Sequence, residues 1–455
     1  MNDFERLRRQ HLAHALALAP GLIERLDWSA DKIAAERNQK LRRLLADAVE
    51  RSPWHRKRLA GLDPAAFDVQ QLSELPVMTK RDLVDNFDDI VTDSRLNLKL
   101  VNRHLEDNPG NYLLDEFTAI ASSGSTGPRA AFVYDRDGWS QFYVGIFRNM
   151  FRALATDERL RATSMVLANV AASHPTHATA ALSHTFSGPH LVSLRFPVTL
   201  PIEDIVDGLN QAQPAILHGY PSALHSLTHE ARAGRLRIAP LRILASSEPL
   251  LPEARRAIED TWGVPVGNWW GSSEGGAMAM PCDLARTHLS DDLLIIEAID
   301  ESRRPVPPGE RSAKILLTNL YNTTLPLIRY EITDEVTILD ERCPCGSAFR
   351  LIGDIQGRLD DTFVYDGRPI NAHVFRSPLS RRSEIVEYQV RQTPRGVAIA
   401  VRCTGRVDTE ALANEIAAAL AALSLHEPEV TISIVEHLER QATGKLKRFI
   451  PLATG

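Results

Sequence analysis

The chain has 455 residues, of which 44% are hydrophobic and 24% charged, and its formal net charge is −6. This composition is typical of a soluble globular protein with two or three domains. The negative balance argues against nucleic acid and anionic membranes as partners, the sequence has no apolar run of 18 or more residues to span a membrane, and four cysteines are too few for a secreted disulfide framework. We therefore expect a cytoplasmic protein.

The predicted secondary structure changes twice along the chain. Residues 1–90 have charged and apolar positions at helical spacing and are predicted to be mainly helical. From about residue 115 to 355, short β-rich runs such as LVSLRFPV, PAILHGY and LRILASS alternate with turns and helix-like pieces, which indicates layered α/β structure.

The carboxyl-terminal part is predicted to be a small α+β unit. VEYQVR and VAIAVR flank Pro394 to Gly396 as a hairpin, Asp408 is a helix cap, and EVTISIV follows as a strand. The apolar face of the capped helix is predicted to consist of Leu412, Ile416, Leu420 and Leu423.

The first chemically suggestive stretch is ASSGSTGPRA, residues 121–130. Such a loop can present several backbone N–H groups and hydroxyls around one concavity, which suits phosphate oxygens. It is not a Walker A loop, because no Gly-Lys-Ser/Thr closes it. Taken alone, an ordinary surface turn is the commoner interpretation.

Four later segments add candidate groups. In WWGSSEGG, residues 269–276, an aromatic ring can stack on a purine while Glu274 holds Mg²⁺, which prefers carboxylate and phosphate oxygens. Asp334 ends a β-rich run and can take both hydroxyls of a ribose; GRLDD precedes the small unit, and Lys445 lies in ATGKLKR. Taken one at a time, WWGSSEGG can equally be a turn before a strand, and Asp334 is more commonly a turn residue and Lys445 a solvated side chain.

Together, in this order and spacing, the five segments resemble the adenylate-forming superfamily of acyl-CoA synthetases, nonribosomal adenylation domains and luciferases. The chain looks most like the phenylacetate–CoA ligase branch, on SSGSTG, HGYPSAL, PLIRYEITD, CPCG before GRLDD, and SPWHRKRL with LPVMTKRDL, over about residues 40–450. The resemblance implies an α/β fold. It would have a large amino-terminal domain of layered sheets and helices, residues 1–357, and a small mobile α+β lid, residues 358–455.

The resemblance also implies how ATP would bind. The pyrophosphate cradle would comprise Ser122, Ser123, Gly124, Ser125, Thr126 and Gly127. Adenine would be bordered by Ser247, Glu248, Pro249 and Trp270. Asp334 would hold the ribose, and Arg358 the ribose or a phosphate.

The resemblance assigns catalysis to Lys445, Glu274 and Thr126, with Asp360 as the hinge of the small domain. A carboxylate that attacks the α-phosphate brings two anions together, at a cost on the order of several kcal/mol at intermediate dielectric. Mg²⁺ on Glu274, and Lys445 at the α-phosphate and substrate carboxylate, would offset this repulsion. A lysine on a mobile domain can leave after adenylation and open a path for a thiol.

The acyl pocket is expected to have diverged. Pro128 comes one position early in the phosphate loop, Glu331 replaces a basic residue of the common pattern, and NVAASHPTHATAALSHTFSGPH stands where phenylacetate ligases have a Thr-Pro-Tyr-Gly segment. Gly271, where acetate-specific relatives carry Trp, should leave the pocket open. Candidate polar groups lining it are His174, His177, His218 and Tyr220.

A separate set of residues, within 282–345, predicts a structural zinc site made of Cys282, His288, Cys343 and Cys345. Three thiolates and one imidazole complete a tetrahedron and leave no position for water, which disfavours a zinc hydrolase. Similar paired elements occur in the phenylacetate ligase branch. The alternative is two buried cysteines beside an unrelated histidine, and Cys403 is assigned to the core of a strand.

The predicted function is an ATP-dependent ligase that forms an acyl-adenylate from an aromatic or aryl-alkyl carboxylate and transfers the acyl group to CoA, with release of AMP and pyrophosphate. Two alternatives stay open: transfer to a carrier-protein thiol or an amine, and a non-catalytic binding protein on a degenerate scaffold. Arg376, Arg381 and Arg382 are as consistent with a solvated face as with a CoA clamp. A homodimer also stays open.

Overall fold

A computed structural model describes most of the chain. The described residues are 3–122, 130–156, 158, 166–171, 178–186, 192–353, 355, 363–365, 368–370, 373–380, 382, 384–423, 425–441 and 446–452. None of the helices within these ranges combines the length and the apolar content that crossing a membrane requires.

The helices are, in chain order, α1 (Asp3–Glu24), α2 (Ala30–Arg51), α3 (Pro53–Arg58), α4 (Lys80–Asp85), α5 (Phe87–Ile90), α6 (Leu98–Asp107), α7 (Arg136–Thr156), α8 (Ala178–Phe186), α9 (Ile202–Ala212), α10 (Pro221–Arg232), α11 (Pro252–Trp262), α12 (His373–Ser380) and α13 (Thr409–Ala422). Short 3-10 helices lie at Arg25–Asp27 and Val69–Glu74. The predicted helical character of residues 1–90 is confirmed.

The strands are β1 (Thr118–Ala121), β2 (Ala131–Tyr134), β3 (Val166–Ala171), β4 (Val192–Pro197), β5 (Ile216–Gly219), β6 (Arg242–Ser246), β7 (Val266–Ser272), β8 (Gly276–Pro281), β9 (Thr287–Leu289), β10 (Leu294–Ile299), β11 (Lys314–Asn319), β12 (Tyr330–Ile332), β13 (Leu351–Ile352), β14 (Phe363–Tyr365), β15 (Arg368–Ile370), β16 (Ile385–Thr393), β17 (Gly396–Cys403), β18 (Glu429–Ile434) and β19 (Phe449–Ile450).

The largest sheet has the strand order β13-β9-β8-β7-β6-β5-β3-β4. Its strands β4, β3, β5, β6 and β7 are parallel, and β8, β9 and β13 extend it by antiparallel pairing. Helices α8 to α11 connect the parallel strands in turn. Parallel neighbours need such long crossover connections, because a tight turn can only join antiparallel strands. The predicted α/β alternation is thereby confirmed.

The two faces of this sheet are covered differently. On one face, side chains from β3, β5, β6 and β7 form an apolar core with α9, α10 and α11. On the other face, a cavity of about 480 Å³ lies between the sheet and the helices α7 and α8. Because neighbouring residues of a strand point to opposite faces, Leu217 belongs to the core while Ile216 and His218 line the cavity.

The carboxyl-terminal unit is a four-stranded sheet of order β18-β17-β16-β19 with α12 and α13. Its core is its own, formed by residues between Phe363 and Phe449. The predicted hairpin is confirmed, with Thr393 opposite Gly396, and Asp408 caps α13 by accepting from Ala411 N at 2.9 Å. The boundary predicted at 357/358 falls outside the described residues and stays a prediction.

The prediction of the apolar face of α13 is wrong for one of its four residues, Leu423. Leu412, Ile416 and Leu420 are fully buried, but Leu423 is 48% exposed because α13 ends at Ala422 and Leu423 turns away from the core as its carboxyl-terminal cap. Cys403 lies at the end of β17, as predicted, and packs half-buried against the core of the unit.

Candidate active site

The candidate nucleotide residues collect at the carboxyl ends of the parallel strands, where open α/β sheets bind their ligands. Ser247, Glu248 and Pro249 follow β6 directly, and Trp270 lies in β7. Ser247 has φ of 70°, a left-handed conformation that a non-glycine residue adopts at an energetic cost and that is commonest at functional sites.

The turn that carries Glu274 is fixed by three side chains, one from β2 and two at and just after the end of β11. The Tyr134 hydroxyl donates to Ser273 O at 2.6 Å, Asn319 Nδ2 donates to Glu274 O at 2.9 Å, and the Tyr321 hydroxyl donates to Gly275 O at 3.0 Å. Burial, with smaller contributions from Tyr321 and Glu274, raises the pKa of Tyr134 well above its ordinary value, so it stays a donor. The backbone under Glu274 is therefore rigid.

Two predicted nucleotide groups that are 64 residues apart in sequence are in direct contact. The Trp270 indole Nε1 donates to Asp334 Oδ2 at 2.8 Å. Asp334 is placed there because it follows β12, and Trp270 is 4% exposed. The candidate adenine and ribose residues thus form one continuous surface.

Glu248 links the two domains. Its Oε2 accepts from Ser222 N, in the first turn of α10, at 3.1 Å, and its Oε1 accepts from Leu446 N at 2.8 Å. Leu446 immediately follows Lys445. A second contact, from Arg402 Nη2 to Ser226 Oγ at 2.9 Å, also joins the carboxyl-terminal sheet to α10.

The cavity on the open face of the sheet contains His218 and a strip of polar side chains that the sequence did not reveal. His218 Nδ1–H donates to Asn169 Oδ1 at 2.9 Å, since an amide oxygen only accepts, and the Ser246 hydroxyl donates to Nε2 at 2.8 Å. Asn169 Nδ2 donates to Ser193 Oγ at 3.0 Å. Burial lowers the pKa of His218 to about 4, so this histidine is neutral at physiological pH.

Tyr220 and Gly271, two candidate acyl-pocket residues, are not surrounded by the open pocket that the sequence predicted. Tyr220 packs in the apolar core on the opposite face of the sheet. In front of Gly271, the space is taken by the Trp269 ring, whose Cζ3 would lie 2.5 Å from a Cβ at this position. Trp269 therefore forms the wall of the cavity nearest to the nucleotide residues.

Comparison with known proteins supports the resemblance. No family model matches the chain. It is 25% identical to the phenylacetate-coenzyme A ligase of Thermus thermophilus over 399 residues, which cover 85% of this chain and 82% of that relative. It is 26% identical to the phenylacetate-coenzyme A ligase of Escherichia coli over 382 residues, 79% of this chain and 78% of that relative.

The fold is shared with a solved 2-hydroxyisobutyryl-CoA ligase in its postadenylation state, at a TM-score of 0.72 and 19% identity, over 94% of this chain and 91% of that one. The chain is thus similar in sequence to phenylacetate-coenzyme A ligases and in fold to this 2-hydroxyisobutyryl-CoA ligase.

In this ligase-like chain several predicted site residues lie outside the described residues: Ser123, Gly124, Ser125, Thr126, Gly127, His174, His177, Arg358, Asp360 and Lys445. The described ends of the phosphate loop are joined, since Ser122 N donates to Ala130 O at 2.9 Å and Ala130 N donates to Ser122 Oγ at 3.2 Å. Ser122 is thus held at the base of the loop.

The four predicted zinc ligands come together in this ligase-like chain. Their ligand atoms all lie within 4.8 Å of one another, with Cys282 Sγ 3.9 Å from Cys343 Sγ and Cys345 Sγ 3.4 Å from His288 Nε2. His288 Nδ1–H donates to Phe349 O at 3.0 Å, which turns the Nε2 lone pair toward the three thiols. The cluster joins the β8–β9 hairpin to the loop before β13.

Residues that sequence reasoning missed here are Trp269, Asn169 and Ser246. Asn169 interrupts the apolar strand β3, and Ser246 ends β6 after the apolar run Ile243 to Ala245. Such an interruption is a usable signal, but only the pairing of β3, β5 and β6 shows that the two residues meet at His218.

Proposed function

We propose that this protein is an ATP-dependent acid–CoA ligase. It forms an acyl-adenylate from a carboxylic acid and ATP, and it passes the acyl group to the thiol of CoA. The observation that carries the proposal is the 2.8 Å contact between Leu446 N and Glu248, because it brings the neighbour of Lys445 to the candidate adenine site. The two relatives named as phenylacetate-coenzyme A ligases support it.

In the first half-reaction, a carboxylate oxygen of the acid bonds to the α-phosphorus of ATP, and pyrophosphate leaves with the electrons of the broken P–O bond. Lys445 would offset the charge that the acid and the α-phosphate share. Glu274, a carboxylate on a rigid turn, is a suitable oxygen ligand for Mg²⁺, which supplies further charge neutralisation at the phosphates when bound. Trp270 and Asp334 would position the adenosine.

In the second half-reaction, a thiolate adds to the acyl carbon, and AMP leaves with the electrons of the broken C–O bond. For this step the carboxyl-terminal unit must release its hydrogen bonds to Ser226 of α10 and to Glu248. We propose residues near Asp360 as the hinge, as the sequence predicted. Such gating by a mobile domain separates the two reactions.

The test replaces Lys445 by Ala. We expect carboxylate-dependent exchange of pyrophosphate into ATP to fall by at least about 100-fold, while CoA still discharges supplied acyl-adenylate at a rate within about tenfold of the parent. Lys447→Ala, two residues away, is the matched control and should leave both rates nearly unchanged. Equal losses in both half-reactions for Lys445→Ala would contradict the proposed role.

The acceptor is tested with preformed acyl-adenylate on the protein. Discharge by CoA supports the ligase, whereas discharge only by a carrier-protein thiol or by an amine would overturn the CoA assignment. A lack of exchange with every acid in a broad panel would indicate a non-catalytic binding protein. The aromatic or aryl-alkyl acid, a homodimer and a cytoplasmic location stay predictions from the sequence.

We also propose a structural zinc ion between Cys282, His288, Cys343 and Cys345. Zn–S bonds of about 2.3 Å place two thiolates about 3.8 Å apart, close to the 3.9 Å between Cys282 and Cys343. Burial and the neighbouring thiols raise the pKa of Cys345 to about 12, so this sulfur needs a cation beside it to be a thiolate.

Metal analysis of purified protein should give about one zinc per chain. Cys343→Ser should lose the metal and lower the melting temperature more than it alters pyrophosphate exchange, whereas Cys403→Ser, outside the cluster, should keep both. Metal-free protein with unchanged stability would eliminate the zinc proposal.

A further inference from the structure

The cavity beside His218 runs along the open face of the large sheet. Trp269 marks its end near the candidate nucleotide residues, and Leu241 and Pro265 mark the opposite end, at the amino ends of the parallel strands. His218 and its strand neighbour Asn169 lie level with Gly267, midway between these ends. Pro265 and Trp269 are four residues apart, which corresponds to about 13 Å along an extended chain. Across the cavity, α7 contributes residues from Tyr143 to Ala153.

The size of the cavity exceeds what one aromatic ring requires. Its volume is about 480 Å³, roughly three times that of the ~150 Å³ cavity known to hold benzene. Pockets for drug-sized ligands begin at roughly 300 Å³. A phenyl group alone would therefore leave most of this space unfilled.

The chemistry of the walls is apolar with one polar strip. Among the described lining residues, the charged ones are Arg242 and Asp283, which pair with each other at 3.0 Å and are partly exposed at the far end. In the interior, Asn169 lies between His218 and Ser193 and hydrogen-bonds to both. An amide has two N–H donors, and Asn169 uses one of them on Ser193.

We infer that this cavity binds the acyl part of the acid, and that the acid is an uncharged, elongated one, at least two rings or an equivalent chain long, with an oxygen acceptor partway along that meets Asn169. This inference rests on the proposed acid–CoA ligase function. It names the substrate class of that same site: an acid larger than phenylacetate, with a mid-chain carbonyl or ether oxygen rather than a second charge.

The first experiment compares acids on the wild-type enzyme. Pyrophosphate exchange is measured with phenylacetate, 8-phenyloctanoate and a phenyl-substituted octanoate that carries a mid-chain carbonyl. We expect kcat/KM to be at least about tenfold higher for 8-phenyloctanoate than for phenylacetate, and higher again for the carbonyl-bearing acid. Phenylacetate as the best of the three would overturn the inference while leaving the ligase function intact.

The second experiment fills the far end of the cavity. Ala153 is a buried lining residue near the end of α7, and Ala155 is an exposed residue on the same helix. Ala153→Phe should lower kcat/KM for 8-phenyloctanoate by at least about tenfold and change that for phenylacetate less than about twofold. Ala155→Phe is the matched control and should alter neither, and a similar loss for both acids in Ala153→Phe would contradict the inference.

The third experiment does not depend on catalysis. Titration calorimetry of the wild-type protein with 8-phenyloctanoate and with phenylacetate, without ATP, should give the lower Kd for the longer acid, and 8-phenyloctanoate should also protect the protein from thermal unfolding. If no acid supports exchange but the longer acid binds, the ligase function fails and the cavity assignment stands. If exchange occurs but the longer acid neither binds nor reacts better, the inference fails.

Discussion

The two faces of the eight-stranded sheet are made by alternate residues of the same strands, yet one face packs against helices and the other borders a cavity. Leu217, Ala245 and Val266 point into a core closed by α9, α10 and α11. Their neighbours Ile216 and His218 point into a cavity. One face is therefore closely packed and contributes to stability, whereas the other is less closely packed and leaves a cavity.

The helix α7 over the cavity packs on β7 and β8 and is also held from behind by an ion pair. Arg148 of α7 donates two hydrogen bonds of 2.8 Å to Asp292, and both side chains are buried. Burial alone would raise the pKa of Asp292, but Arg148, with help from Lys40 and Arg25, lowers it. A buried ion pair thus adds to the apolar contacts that α7 makes with the sheet.

The largest predicted effect comes from breaking this pair. Arg148→Met leaves the Asp292 carboxylate buried without its two-pronged partner, and we expect a loss of about 3–5 kcal/mol in the free energy of unfolding. Arg152→Met is the matched control on the same helix. Because Arg152 pairs at the surface with Asp27, which is 73% exposed, its loss should be under about 1 kcal/mol in urea denaturation. Similar losses for both variants would show that α7 is held in another way.

The next prediction compares the faces within one strand. Leu217 and Ile216 are both buried in β5, but only Leu217 is packed on all sides. Leu217→Ala should lower the free energy of unfolding by about 3–4 kcal/mol, and Ile216→Ala by about 2 kcal/mol, since its side chain already borders empty space. Denaturation of the two variants under one set of conditions gives the difference, and equal losses would contradict the division into a packed and an open face.

The open face should also make stability depend on pH. Burial lowers the pKa of His218 from 6.5 to about 4. Between these values the unfolded chain binds a proton at this residue that the folded chain does not. Stability should therefore be complete above pH 6.5 and fall as pH decreases toward 4, by about 3 kcal/mol from this group.

The measurement is the melting temperature from pH 7.5 to 4.5 for the wild-type protein, His218→Gln and His437→Gln. The first variant should flatten the decline, and the second, at an exposed position, should follow the wild-type curve. His11 and His55 are buried with lowered pKa values as well, about 4 and about 3, so the slope should shrink rather than vanish. An unchanged slope in His218→Gln would contradict the assignment.

The sequence was informative where the structure depends on short segments. Alternating hydrophobicity predicted the β16–β17 hairpin, the capping Asp408 predicted the start of α13, and the spacing of cysteines predicted that four residues lie together in one cluster. Leu423 failed because a helix end is set by its cap, and a period of 3.6 residues does not show where the helix stops.

Contacts that depend on the pairing of distant segments could not be predicted in this way. The Trp270–Asp334 and Glu248–Leu446 hydrogen bonds join residues 64 and 198 positions apart. The polar strip at His218 requires β3 to lie next to β5, although β4 comes between them in the sequence. The cavity itself depends on the position of α7, to which the pairing of Arg148 with Asp292, 144 residues away, contributes.

The smallest predicted effect uses two buried serines, one on each side of the sheet. Ser246 donates to His218 Nε2 at 2.8 Å on the cavity face, whereas the Ser222 hydroxyl, in α10 on the packed face, is buried with no hydrogen-bond partner among the described residues. Ser246→Ala should cost about 1 kcal/mol, because it leaves the His218 acceptor unpaired. Ser222→Ala removes an unsatisfied hydroxyl and should be neutral or slightly stabilising. Thermal denaturation of the two variants decides the point: if Ser222→Ala is the more destabilising, the polar strip does not hold His218 as the geometry indicates.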